Sequence, residues 1–189
     1  MLYFFITYIF KILFMNFHLS KIRILIFVLF ISASSQAIAQ KATDEVLNEA
    51  FSEAQLKNKK VLVIFHASWC SWCKKMEKQL KDPQISEFID DTFVITYLTV
   101  MEAKDKKDLE NPGAAEFLEQ HGGARSGIPF WLIFDKNRKL LTNSLTEKGN
   151  NLGCPYSPEE VTEFSEKLKE YTDLSPQQIK SIAEVFIEK

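Results

Sequence analysis

The sequence predicts an α/β domain, a central sheet covered on both faces by helices, and three observations carry that prediction. Three short apolar runs, 61–65 (VLVIF), 93–100 (FVITYLTV) and 130–134 (FWLIF), read as buried strands. Segments with helical spacing stand between and around them, so strands alternate with helices. A Cys-x-x-Cys pair, Cys70 and Cys73, falls where the first strand ends and a helix begins.

Taken in order, 41–60 reads as an amphipathic helix with Val46, Leu47, Ala50, Phe51 and Ala54 on one face and Thr43 as its N-cap. After the first strand, Cys73, Met76 and Leu80 recur at i, i+3 and i+7, one face of a helix that Pro83 brings to an end. A short helix over 84–90 buries Ile85, Phe88 and Ile89 before the second strand. The polar stretch 101–111 reads as a surface loop with solvated charges. Pro112-Gly113 opens a helix over 114–121, with Ala114, Phe117 and Leu118 inward, and Gly122-Gly123 closes it. The third strand follows Gly127-Ile128-Pro129, turns over 135–138 and returns as an edge strand, 139–142. A Gly/Asn-rich loop, 146–155, holds Cys154. Ser157 caps a helix bearing Val161, Phe164, Leu168 and Tyr171, and Ser175-Pro176 starts a last one bearing Ile179, Ile182, Val185 and Phe186.

The front of the chain is different in kind. Residues 1–39 contain Lys11, Lys21 and Arg23 and no acidic residue. From Met15 a basic segment leads into an apolar core, 24–31, then small and polar residues ending in Ala37-Ile38-Ala39. That order predicts a secretory signal peptide, with translation starting at Met15 and cleavage after Ala39. The mature domain is then 40–189, with a C-terminal helical extension from about residue 172. The apolar core falls short of the roughly 20 residues a membrane span needs. Because 2–14 is a second apolar run, an uncleaved membrane anchor is the alternative. Removing 1–39 leaves 20 Lys and Arg against 25 Asp and Glu, a formal charge of −5. That balance argues against a nucleic-acid partner. All three cysteines lie beyond the cut, so an oxidising compartment leaves one thiol over.

The position of the pair has chemical content. Unpaired N–H groups and the macrodipole make a helix N-terminus locally positive, which favours a thiolate. The first cysteine of such a motif commonly has its pKa lowered from about 8.5 into a range of about 3.5–7.5. Cys70 is therefore a candidate nucleophile, and Cys73, one turn on, a candidate resolving thiol. Half of a zinc site has the same spacing, but structural zinc takes a second pair, and Cys154, His66 and His121 are unpaired in sequence. A purely structural disulfide over so short a loop would constrain the unfolded chain little.

WCSWCKKM (69–76), followed in order by NPGAAEF (111–117) and GIPFWLIFD (127–135), resembles the thioredoxin superfamily. The resemblance runs from about 60 to 169 and is nearest to exported thioredoxin-like thiol–disulfide oxidoreductases, with a motif similar to the soluble domain of transmembrane disulfide reductases. It implies a thioredoxin-like fold, a central mixed sheet with helices on both faces, here with an extra N-terminal and an extra C-terminal helix. It implies Cys70 as attacking thiolate and Cys73 as resolving thiol, with no cofactor besides the cysteine pair and no metal. Pro129, preceded by Ile128, matches the cis-proline loop that pairs with substrate backbone. Trp69 and Trp72, beside the cysteines, complete the substrate surface the resemblance implies, with a plain core aromatic as the alternative for Trp69.

Two departures stand out. Thioredoxin has a buried acid six residues before the first cysteine; here that residue is Ile64. The dipeptide between the cysteines is Ser71-Trp72, and such residues tune redox potential. His66, four residues before Cys70, is a candidate modulator of the thiolate, set against the plainer reading of a half-buried histidine with its hydrogen bonds made. Cys154 reads as a partly shielded loop thiol without a catalytic role, with a regulatory partner or the hook of a covalent dimer as the alternatives.

The expected function is an exported oxidoreductase acting on protein thiols and disulfides, in the reducing direction, with a membrane partner supplying electrons. Location in the periplasm or outside the cell follows from the signal segment. The alternatives are a protein-binding or chaperone-like module of the same fold, and a metal carrier using Cys70, Cys73 and a histidine. Replacing Cys70 separates the first two; metal analysis of the reduced protein separates the third.

Overall fold

The computed structural model describes residues 40–187, so the signal segment read at 1–39 lies outside the described residues. Four strands, β1 (Lys60–His66), β2 (Phe93–Thr99), β3 (Phe130–Phe134) and β4 (Leu140–Asn143), form a sheet in the order β2-β1-β3-β4. β1 runs parallel to β2 and antiparallel to β3, which pairs antiparallel with β4, so the sheet is mixed. Among the described residues seven helical segments accompany it: α1 (Thr43–Lys57), α2 (Ser71–Leu80), α3 (Ser86–Thr92), a 3₁₀ segment (Lys104–Leu109), α4 (Ala114–Gln120), α5 (Pro158–Tyr171) and α6 (Pro176–Phe186).

The continuous apolar runs follow from burial on both faces. Alternate residues of a strand point to opposite sides. Leu62, Ile64, Trp131 and Ile133 join Met76 and Leu80 of α2, Ile89 of α3, Val161 and Phe164 of α5, and Ile182 and Phe186 of α6 in one cluster. Val61, Val63, Phe65, Phe130 and Leu132 join Leu47 and Phe51 of α1 and Leu118 of α4 in the other. The last helix therefore belongs to the core: Ile182 and Phe186 are fully buried, and the Phe186 ring lies 5.2 Å from that of Phe164. Ser157 and Ser175 each form a capping box, with Glu160 and Gln178 reaching back, so α5 and α6 start where the sequence places them.

Three local expectations need correction. Thr43 is not the N-cap of α1: Ala42 holds that position, and Thr43, the first helical residue, turns inward with its Oγ1 lacking a hydrogen-bond partner. The helix expected from Gln84 begins at Ser86, because the Asp82 carboxylate accepts from the Gln84 amide and the backbone turns there first. The stretch 101–111 contains the 3₁₀ segment, and its charges are not all solvated, since Glu102 is only 4% exposed.

Candidate functional site

β1 lies in the interior of the strand order and ends at His66, and Ala67 accepts a hydrogen bond from the Cys70 amide, a tight turn into α2. Cys70 is the N-cap of α2; its Sγ accepts from the Cys73 amide at 3.1 Å. A sulfur thus takes the place usually held by a capping oxygen, at the end of the helix where unpaired N–H groups converge. Cys70 and Cys73 form a disulfide with an S–S distance of 2.05 Å. Both are buried, and Ala67 and Ile128 complete their apolar surroundings.

The strand opposite brings the second part. β3 pairs with β1 so that Phe130 faces Phe65, which places the residues just before β3 beside those just after β1. The Ile128–Pro129 peptide bond is cis, and the Ile128 carbonyl oxygen lies 3.7 Å from Cys70 Sγ. In the disulfide that sulfur carries no hydrogen; once reduced, the thiol has an acceptor at hand.

Aromatic rings flank the pair. Trp69 is 58% exposed, and its indole N–H donates to the Met101 carbonyl at 2.8 Å. Trp72 is 42% exposed, with its ring centroid 5.0 Å from that of Tyr156, and the Lys75 ammonium lies 4.8 Å from the Trp72 centroid. The structure therefore brings Trp69, Cys70, Trp72, Cys73 and Ile128 to one site, with Pro129 buried next to it.

His66 is half-buried: its Nε2 is 3.2 Å from the Thr99 hydroxyl, and its ring lies 5.3 Å from that of Tyr97. Burial lowers its pKa below the ordinary histidine value, partly opposed by Glu77 and Glu102. Burial therefore favours the neutral imidazole over the imidazolium beside the cysteines. Cys154 is a buried free thiol donating to Gln79 Oε1 at 3.2 Å, and burial pushes it up to about 12. Such a thiol is inert near neutral pH.

Three residues of the site escape sequence reasoning. The Glu102 carboxylate accepts from the Ser68 amide and, at 2.8 Å, from its hydroxyl, tying the 101–111 stretch to the turn before Cys70. Glu102 sits in a charged run with no periodicity, so nothing in its neighbours marks it as buried. Tyr156, one residue before the Ser157 cap, has the place of a hydrophobic staple; its ring instead lies beside Trp72. Asn151, in the loop before it, donates into the loop around Pro129. Replacing Glu102 by Ala should lower unfolding free energy by about 1–3 kcal/mol, the usual cost of losing hydrogen bonds to a charged group. Glu102→Gln, which keeps one acceptor, should recover part of that loss in urea titrations.

The sequence model of a thioredoxin-like family matches residues 41–136, just over half of the chain. No curated relative matches. Solved structures similar to the chain include a disulphide isomerase from Xylella fastidiosa Temecula1, 19% identical over 81% of this chain and 92% of that one, with a TM-score of 0.46. A DsbH oxidoreductase is 21% identical over 72% and 91%, with a TM-score of 0.42. The C-terminal domain of DsbD from Neisseria meningitidis is 21% identical over 54% and 82%, with a TM-score of 0.36. With its family match, its mixed sheet and its Cys70–Cys73 disulfide at the mouth of α2, this chain belongs to the thioredoxin-like family.

Proposed function

We propose that the protein is an exported thiol–disulfide oxidoreductase that reduces disulfides in other proteins. The observation that carries this reading is a disulfide capping a ten-residue helix, its first sulfur held by the Cys73 amide and facing the Ile128 carbonyl. In the reduced protein Cys70 attacks one sulfur of a substrate disulfide. A Cys70–substrate disulfide forms, the substrate S–S bond breaks, and the departing thiolate takes a proton from water. Cys73 then loses its proton and attacks Cys70 Sγ, which re-forms the disulfide seen here and releases the second substrate thiol. Two electrons pass to the substrate, and a membrane dithiol, itself oxidised to a disulfide, supplies two more to reduce Cys70–Cys73 again.

With the neutral form of His66 favoured by burial, thiolate stabilisation at Cys70 falls to the helix terminus and the Cys73 amide, while Ile64 in place of an acid leaves no carboxylate there to take the Cys73 proton. Water is the acceptor we assign for the Cys73 proton. Trp69, Trp72 and Ile128 form the surface along which a substrate segment lies, seated on the buried Pro129, and Tyr156 extends it. The basic-then-apolar segment ending in Ala39 supports export. Among the described residues no helix is long and apolar enough to cross a membrane.

The test is the reduction potential of residues 40–189, titrated against glutathione, with Cys154→Ser in parallel. A reductase should titrate as one two-electron couple near thioredoxin's value, about −270 mV, and the inert Cys154 should make the two samples agree. A value of about −120 to −180 mV would reverse the direction to oxidation or isomerisation. Absence of a two-electron couple in both samples would leave the binding-module reading, which the exposed Trp69, Trp72 and Tyr156 rings also serve.

A further inference from the structure

We infer that Asn151 is the positioning residue that seats the cis-proline loop, 126–129, against the disulfide; the inference rests on the oxidoreductase reading. Its Nδ2 donates to three backbone carbonyls of that loop, Pro129 at 2.9 Å, Ser126 at 3.0 Å and Gly127 at 3.2 Å. An amide nitrogen carries two hydrogens, so one is shared between two acceptors. The need is plain from the sequence of the loop. Proline has no N–H, and carbonyls turned toward one point require a donor from elsewhere.

Asn151 is itself fixed. Its Oδ1 accepts from the Gly153 amide at 3.0 Å, which sets the orientation of the side-chain amide: reversed, it would aim an oxygen at three carbonyl oxygens. Its backbone bridges to Leu145, and the amide of its neighbour Leu152, a core residue, donates to the Ser144 carbonyl at 2.8 Å. Gly153 completes the brace. It holds φ of +56°, its carbonyl accepts from the Trp131 indole at 2.9 Å, and a Cβ built on it would lie 3.6 Å from the Pro129 carbonyl oxygen. Two of the three carbonyls that Asn151 holds, those of Gly127 and Pro129, flank Ile128, whose own carbonyl stands 3.7 Å from Cys70 Sγ. A single side chain thus ties the sheet core to the backbone that faces the reacting sulfur. Misplacement of such a group by about 1 Å can cost about a hundredfold in rate.

The experiment compares exchange kinetics of the unsubstituted mature protein with Asn151→Ala, Asn151→Ser and the isosteric Asn151→Asp. Two substrates are used: a peptide with one internal disulfide, and oxidised glutathione. Asn151→Ala should lower kcat/KM for the peptide about tenfold, mostly through KM, because the loop backbone that a substrate segment pairs with is no longer held in place. The loss with glutathione should be several times smaller, because a small disulfide has little backbone to lay along the loop. Asn151→Ser, with one shorter donor, should fall between. Asn151→Asp should be the worst of the three, since it fills the same space but sets a carboxylate against carbonyl oxygens. An Asp variant within twofold of the unsubstituted protein, or equal losses on both substrates, would overturn the inference. If Asn151→Asp does not fold, the substrate split in Asn151→Ala and Asn151→Ser decides the matter. Absence of exchange by the unsubstituted protein would instead overturn the oxidoreductase reading.

Discussion

Replacing Cys70 by Ser should reduce exchange with a peptide disulfide by about a thousandfold or more. Exchange proceeds through a thiolate, and a serine hydroxyl neither ionises near neutral pH nor forms a mixed disulfide. The same helix terminus that stabilises a sulfur anion cannot lower a hydroxyl pKa far enough to compensate. Structure should survive the change, because a serine Oγ accepts from the Cys73 amide as the sulfur does now. The complementary variant, Cys73→Ser, should behave differently. It keeps the attacking sulfur and loses the one that resolves it, so a covalent Cys70–substrate adduct should accumulate and be visible as a mass shift that dithiothreitol reverses. Equal turnover in Cys70→Ser and the unsubstituted protein would end the enzymatic reading; retained partner binding without turnover in either would favour the binding module.

The largest effect on stability should come from Trp131→Ala. Trp131 is the bulkiest fully buried side chain of β3, its ring 5.4 Å from that of Phe164, its indole N–H donating to the Gly153 carbonyl. Truncating a buried Trp costs about 3–5 kcal/mol through lost transfer energy and the cavity left behind. For a domain of this size that corresponds to a fall of roughly 10 °C or more in Tm. Trp131→Phe separates the two contributions. It restores most of the apolar volume but leaves the Gly153 carbonyl without its donor, so it should cost about 1–3 kcal/mol. Guanidinium unfolding followed by circular dichroism measures both.

What the sequence reveals and what it hides divide along a physical line. β1 and β3 are legible because both their faces are covered, which writes them as unbroken apolar runs: 130–134 coincides with β3, and 61–65 falls within β1. β2, an outer strand of the sheet and only partly buried, is legible instead from its β-branched and aromatic residues. The last two helices are legible because serine caps and proline at the first turn mark their starts. The cysteine pair is legible because its spacing and its place between strand and helix coincide. Glu102, Asn151 and Tyr156 are not, for a common reason. Each lies in an irregular segment where no period exists to compare against, and each acts through a partner distant in the chain: Ser68, the loop before β3, and Trp72. Polar groups in loops read as solvated by default. A donor that serves three carbonyls becomes visible only when the fold brings those carbonyls together.

The burial of α6 has a consequence for where this protein can be cut. Gln79 of α2 donates to the Val185 and Phe186 carbonyls at the far end of the chain, and on its other side accepts from Cys154. The helix that carries the redox pair is therefore buttressed by the last turn of α6. Residues 41–136, the span shared with the family, lack Val161, Phe164, Ile182 and Phe186, which close one face of the sheet. The shared span is thus not a self-sufficient module in this chain, and ribosomal synthesis cannot complete the redox face of the domain until α6 has emerged.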